Sequence, residues 1–257
     1  MPTSLLLTLR FHEGRYHGAG DWPPSPARLF QALVSGAACG EELLPAGEAA
    51  LRRMETWRPP IIAAPPTRAG QSFTLFVPNN DRDAALKGQR TEDKIRSPKH
   101  TRPRLFDPSI ALLYLWNAPQ EDPDPERLRA IAQRLYQLGR GPDMAFATAE
   151  WLDPGTAEAR LAAHPGPVFR PSEEGRRGMM LACPEEGSLN SLLSRHAAQA
   201  ARFHAAHGRL LRRLGRYDAA EAAFTRAVEI AGESHPSYGT YLGQLEFVRH
   251  ERAARTP

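Results

Sequence analysis

"SLLLTLRFHEGRYHGAGDWPPSPARLFQALVSGA", residues 4–37, contains the transition that decides the fold. Ser4 to Phe11 is a short apolar run and reads as a buried strand. Ser25 is a good helix N-cap, and Pro26 suits the first helical position. Leu29, Phe30, Leu33, Val34 and Ala37 then recur at helical spacing and give one apolar face. Between strand and helix lies a glycine-rich loop carrying Arg15, Tyr16, His17 and Trp22. Two readings compete for it. It is a tight connection whose rings close the sheet edge, or a surface that holds something flat and negatively charged. The amides at the N-terminus of the helix, with its positive dipole end, are expected to favour phosphate.

Further along, residues 48–57 read as a short helix, and residues 61–64 and 72–77 as strands separated by Pro65, Pro66 and Gly70. Residues 79–107 are polar and charged and read as a long excursion. Residues 110–116 form a strong strand candidate inside this insertion. Asp124 with Pro125 repeats the cap-plus-proline pattern, and Leu128, Ile131, Leu135 and Leu138 predict a helix that stops at Gly139. Residues 144–152 read as the last strand. The order strand, helix, strand, strand, helix, strand matches an α+β, ferredoxin-like (RRM-like) plan, with two helices on one face of an antiparallel sheet. The other face of such a sheet is a common RNA platform. From Gly187 the texture becomes all-α, with helices expected over 188–214, 216–231 and 238–252. The expected division is therefore 1–186 and 187–257.

The bulk numbers narrow the function. A chain of 257 residues with a net charge of +4 is only mildly basic, so the placement of charge matters more than its total. Two cysteines, Cys39 and Cys183, support neither a disulfide framework nor a cysteine zinc site. No apolar run reaches membrane-spanning length, and the N-terminus lacks a secretory pattern. A cytoplasmic protein with no cofactor and no metal is expected. HExxH, Walker, GxSxG and dinucleotide-binding motifs do not occur.

The only lysines are Lys87, Lys94 and Lys99, and they open or adjoin "KIRSPKHTRPR", residues 94–104, with five Lys/Arg and no acid in eleven residues. Two prolines disfavour a helix there. An extended basic segment follows a phosphate backbone because each neutralised phosphate releases a counterion. A solvated surface loop is the alternative. "LGRGPD", residues 138–143, presents Arg140 between Gly139 and Gly141. A helix C-cap accounts for Gly139, whereas backbone without a side chain at Gly141 also allows close approach to phosphate. Histidine is the natural residue for metal-free RNA cleavage, and His12, His17 and His100 fall near these loops. No spacing singles out a pair, so His17 and His100 are the catalytic candidates only by location.

Five stretches, "LTLRFHEGRYHGAGDWPPSPARLFQALVSGA", "FVPNND", "HTRPRLF", "LYQLGRGPDMAFATAEW" and "GSLNSLLSRHAAQAARF", resemble in order the fused CRISPR-associated subunit of subtype I-U, also called I-G, of the RAMP superfamily. The resemblance covers about residues 3–203 and concerns the handle-binding half, not the guide-processing endoribonuclease half. It implies ferredoxin-like folding, CRISPR RNA binding and membership of a Cascade-type complex in antiviral defence, with other Cascade-type subunits as partners. Enzymatic activity is left open. RNA-facing roles are expected for Arg15, Tyr16, His17, Arg28, Lys94, Arg96, Lys99, Arg102, Arg104 and Arg140. Precursor cleavage without metal is the alternative activity. "GRLLRRLGRYDAAEAAFTRAVEIAGESHPSYGTYLGQL", residues 208–245, resembles a tetratricopeptide repeat, with Gly208, Gly215, Tyr217, Ala220, Phe224 and Ala227 at its packing positions. About one and a half repeats cannot close a solenoid core by themselves. These helices are expected to pack on the first domain, to bind a protein partner, or to stay partly exposed.

Overall fold

β1 (Ser4–Phe11) runs between two other strands of a five-stranded antiparallel sheet. The computed structural model describes residues 4–18, 22–38, 43–78, 96–117, 124–172 and 178–254, in two compact units, Met1–Glu186 and Gly187–Pro257. In chain order the first unit continues with β2 (Arg15–Tyr16), α1 (Pro26–Ala37), α2 (Pro45–Glu55), β3 (Ile61–Ala63), β4 (Arg68–Ala69) and β5 (Phe73–Pro78). It goes on through β6 (Arg96–Thr101), β7 (Arg104–Leu105), β8 (Leu112–Asn117), α3 (Pro125–Gln133), β9 (Ala145–Leu152), α4 (Pro154–Ala162) and β10 (Val168–Phe169). The main sheet has the order β10-β3-β8-β1-β9. A three-stranded sheet β2-β7-β4 and the β5-β6 pair accompany it.

Register explains the two faces. Leu5, Leu7 and Leu9 of β1 oppose Trp116, Tyr114 and Leu112 of β8, and Trp151, Ala149 and Ala147 of β9. These alternate positions share one face. The alanines on β9 let α3 lie close, and Arg129 of α3 donates from Nε to the Ala149 carbonyl at 3.3 Å. Tyr114 donates its hydroxyl to the Pro24 carbonyl at 2.6 Å, just before α1, and its complete burial pushes its pKa far above the ordinary tyrosine range. On the opposite face, Leu6, Ile61, Ala63, Leu113 and Leu115 form a second cluster with Ala157 and Leu161 of α4. The expectation of a bare second face is thus corrected: α4 covers part of it. Phe146, 45% exposed, is on the uncovered part, beside the ring of His12 at 5.6 Å.

Three further expectations change. The strand expected inside the insertion, β8, is a central strand, whereas β5 leaves the main sheet to pair with β6. The "LLYLWN" run is buried at five of its six positions, which suits a strand covered on both faces. Of the excursion, residues 79–95 lie outside the described residues, and the remainder is β6 and β7. α3 ends at Gln133 rather than Leu138. Leu135 and Leu138 are still buried, but the backbone there bends to bridge Gln137 to Met144. Apolar spacing alone does not distinguish these two ways of burying the same side chains. α4 was not anticipated, although Asp153 caps it through Thr156 N at 2.9 Å and Pro154 opens it.

The second unit consists of α5 (Ser188–Arg213), α6 (Tyr217–Ala231) and α7 (Tyr238–Ala253). Ala201, Ala205 and Leu211 of α5, Ala220, Ala223, Phe224 and Ala227 of α6, and Tyr241, Leu245 and Val248 of α7 make one core. Gly215 takes a left-handed φ of 72° just beyond α5 and turns the chain into α6. No helix among the described residues is long and apolar enough to cross a membrane.

A side chain at Gly208 has no room, because its Cβ would lie 2.9 Å from the fully buried Phe224 ring. Gly208→Val is expected to destabilise the helical unit by about 1–3 kcal/mol. Urea unfolding followed by far-UV circular dichroism checks this, and an unchanged midpoint refutes the packing account.

Candidate functional site

The glycine-rich loop begins by closing a ring cluster. Tyr16 is 2% exposed, with its ring 5.7 Å from Phe11 and 5.5 Å from Trp22. Trp22 stacks on Phe106 at 4.9 Å and donates from Nε1 to the Pro65 carbonyl at 3.1 Å. These aromatics are core. Burial pushes the Tyr16 hydroxyl up to about pKa 12; the Arg28 guanidinium opposes this, Asp143 reinforces it, and Arg140 also opposes it. Two arginines therefore stand close to this one buried ring.

The next residue leads to the centre of the site. Asp143 is 1% exposed and accepts three hydrogen bonds. They come from the His17 amide at 2.7 Å, from His17 Nδ1 at 2.9 Å and from the Arg140 amide at 2.8 Å. The last bond closes the "GRGPD" turn on its own carboxylate, and Asp143 N returns a bond to Arg140 O at 2.8 Å. Gly139 has a φ of 125°, and a Cβ there would meet Asp143 Oδ2 and the Tyr16 ring. Its glycine thus serves this turn; the helix C-cap explanation is corrected. A Cβ at Gly141 would meet nothing within 4 Å, so the fold does not require glycine there.

Arg140 carries the turn across to the basic segment. Its Nη1 donates to Thr101 Oγ1 at 3.2 Å, at the end of β6. Thr101 pairs with Phe73 of β5, whose ring lies 6.2 Å from the His17 ring. β7 pairs antiparallel with β2, placing Arg104 opposite Tyr16 and Leu105 opposite Arg15. The loop, the arginine turn and the basic strands are consequently contiguous.

The individual cations differ. Arg15 is exposed and bonds Glu13. Arg28 is half-buried in α1, Arg104 is half-buried in β7, and Lys99 and Arg140 are exposed. Arg102 is exposed and donates from Nε to the Gly70 carbonyl at 3.2 Å. Arg96 belongs to β6, and Lys94 lies outside the described residues. His100 is exposed, with Nδ1 2.9 Å from Thr74 Oγ1. A cleft of about 170 Å³ opens beside the turn, lined by Arg28, Gln31, Ser35, Tyr136, Gln137 and Gly139.

The α1 N-terminus is closed, which corrects the expectation of free amides for phosphate. Pro26 has no N–H. The Ala27 amide donates to Ala182 O at 2.9 Å, the Arg28 amide to Ser25 Oγ at 3.2 Å, and the Leu29 amide to Ser25 O at 3.1 Å. Asp143 is the residue that sequence reasoning passed over. Its signal was present: a carboxylate just after Gly-Pro is common turn chemistry. Among the described residues no group of three His, Cys, Asp or Glu could hold a metal ion.

Residues 4–218 match the sequence pattern described as CRISPR-associated protein, GSU0054 family. The chain belongs to this family. Its role is accordingly in CRISPR antiviral defence. The match begins at the first residue of β1, takes in the whole loop–turn–strand arrangement and α5, and ends in the first turn of α6. No curated protein matches the chain.

In this CRISPR-associated protein, removing the Asp143 carboxylate orphans the buried amide of His17 and the part-buried amide of Arg140. Asp143→Ala is expected to cost about 2–4 kcal/mol, since charged acceptors contribute more than neutral ones and unsatisfied donors are penalised. Urea unfolding measures the loss. Hydrogen exchange should accelerate at those two amides, and unchanged exchange there refutes the arrangement.

Proposed function

We propose that the chain is a CRISPR RNA-binding subunit of a type I, Cascade-type surveillance complex and holds the handle of the guide RNA. One observation carries this reading: Arg140 bonds Thr101, so the arginine turn joins the end of the basic strand β6. On this reading the exposed Arg140, Lys99 and Arg102 form one RNA-facing surface, with the half-buried Arg28 and Arg104 at its margin. Their charges suit a single-stranded phosphate backbone. Gly141, free of any packing demand, lets a sugar-phosphate approach the main chain. Bases would stack on exposed rings and arginine planes outside the buried cluster.

The strand order β9-β1-β8-β3, with α1 and α3 in the connections, supports the reading of a ferredoxin-like sheet and of the RAMP superfamily, subtype I-U/I-G. On this reading the protein works in the cytoplasm with other Cascade-type subunits. The small residues between α5 and α6 favour a tetratricopeptide-like tail.

Filter binding with repeat RNA tests the proposal. The Lys99→Ala/Arg102→Ala/Arg140→Ala variant should lose at least tenfold in affinity. Its dependence of log K on log salt should flatten by about 0.7 per lost phosphate contact. Equal affinity for an unrelated RNA of the same length, or no loss in the variant, overturns the reading.

A second reading is metal-independent cleavage of precursor CRISPR RNA. It is favoured by the carboxylate of Asp143 on His17 Nδ1, which orients an imidazole with Nε2 as the remaining base. Repeat RNA should then be cut in EDTA by the native chain and not by His17→Gln. Cleavage that persists in the variant removes His17 from the chemistry.

A further inference from the structure

The outer side of α5 carries an uncovered apolar stripe. Phe203, Leu210 and Leu214 are 66%, 54% and 63% exposed. With His207, whose ring lies 6.1 Å from Phe203, they follow a 4-3-4 spacing that keeps Phe203, His207 and Leu210 on one line of the helix, continued by Leu214 at its C-cap. The opposite side of α5 is already occupied by α6, through Ala201, Ala205 and Leu211. The stripe is therefore not the back of an existing contact.

The same unit shows what such a stripe receives. α7 presents Tyr241, Leu245 and Val248, again an aromatic followed at 4-3 spacing, and all three are buried in the core shared with α6. Arginines flank that contact and meet acids of α6. Arg249 Nε is 2.9 Å from Glu221 Oε1, and Arg252 Nη1 is 3.1 Å from Asp218 Oδ1. The α5 stripe has the same kind of flank without the acids. Arg195, Arg202 and Arg209 recur every seven residues along one side of it, Arg213 stands on that same side, and α5 contains no Asp or Glu. Arg195, Arg202 and Arg213 form no ion pair among the described residues.

We propose that the Phe203–His207–Leu210–Leu214 stripe docks an amphipathic helix of a partner protein, with small apolar residues along its contact line and acids on the one flank that faces these arginines, in the manner in which α6 docks on α7. Apolar burial supplies the attraction, and the arginines select an acidic helix over a basic one. This surface is separate from the RNA reading, since no cation assigned to RNA lies on α5.

A fluorescein-labelled peptide with the α6 sequence, residues 216–232, is the probe, titrated with the full chain and read by anisotropy. Saturable binding is expected, weakened at least tenfold by Leu210→Glu and by Phe203→Ala, with far-UV circular dichroism and repeat-RNA binding unchanged. A peptide carrying Asp218→Lys, Glu221→Lys and Glu229→Lys should not bind. Absence of saturable binding, or affinity indifferent to Leu210→Glu, overturns the proposal. So does a chain dimer, seen by light scattering, that Leu210→Glu dissolves, because the occupant is then a second copy. Displacement of the peptide by single-stranded RNA overturns it in favour of a nucleic-acid surface.

Discussion

One buried carboxylate organises the first unit's loop-and-turn corner. An unpaired charge in a protein interior is costly, and Asp143 is tolerated because three donors converge on it. Those donors come from segments far apart in sequence. The bonds therefore join the loop after β1 to the turn before β9, where a shorter-range contact would only have shaped one of them. Gly139 is forced by the same arrangement. With the turn closed on its own side chain, the Arg140 guanidinium is delivered outward to Thr101.

The sheet beneath this corner is covered more fully than a two-layer plan provides. Helices cover one face and α4 covers part of the other, where Phe146 stays exposed. Lys99, Arg102 and Arg140 are exposed on or beside β6 and at the arginine turn. Burial of Tyr16 and Trp22 fits the same division: the aromatic residues of the loop stabilise its base, while its charges and those of neighbouring strands face outward.

Much of the architecture was legible because local chemistry and burial agreed. Ser25–Pro26 and Asp124–Pro125 marked true helix starts, and Ser4–Phe11 is a strand over its full length. Asp153–Pro154 bore the same mark and was overlooked beside a stronger strand pattern. Strand partnership was less accessible. Nothing local in 72–77 reveals that its partner is the basic segment, nor in 110–116 that its neighbours are β1 and β3. The closed α1 N-terminus depends on Ala182, more than a hundred residues away, and no capping rule anticipates that bond. The loop–turn–strand contiguity could be imagined from composition, but the agent that produces it, Asp143, is a single residue whose partners are defined only in three dimensions.

Where α5 meets α6, the closeness permitted by Gly208 has a consequence for grafting. The family pattern ends at residue 218, yet the inner surface of α5 is filled by Ala220, Phe224 and Ala227, which lie beyond it. Any other segment joined to this chain at that point would have to return a helix that places one large ring over the Gly208 backbone, with small residues around it. The junction therefore behaves as a socket with a fixed bore rather than as an open graft site.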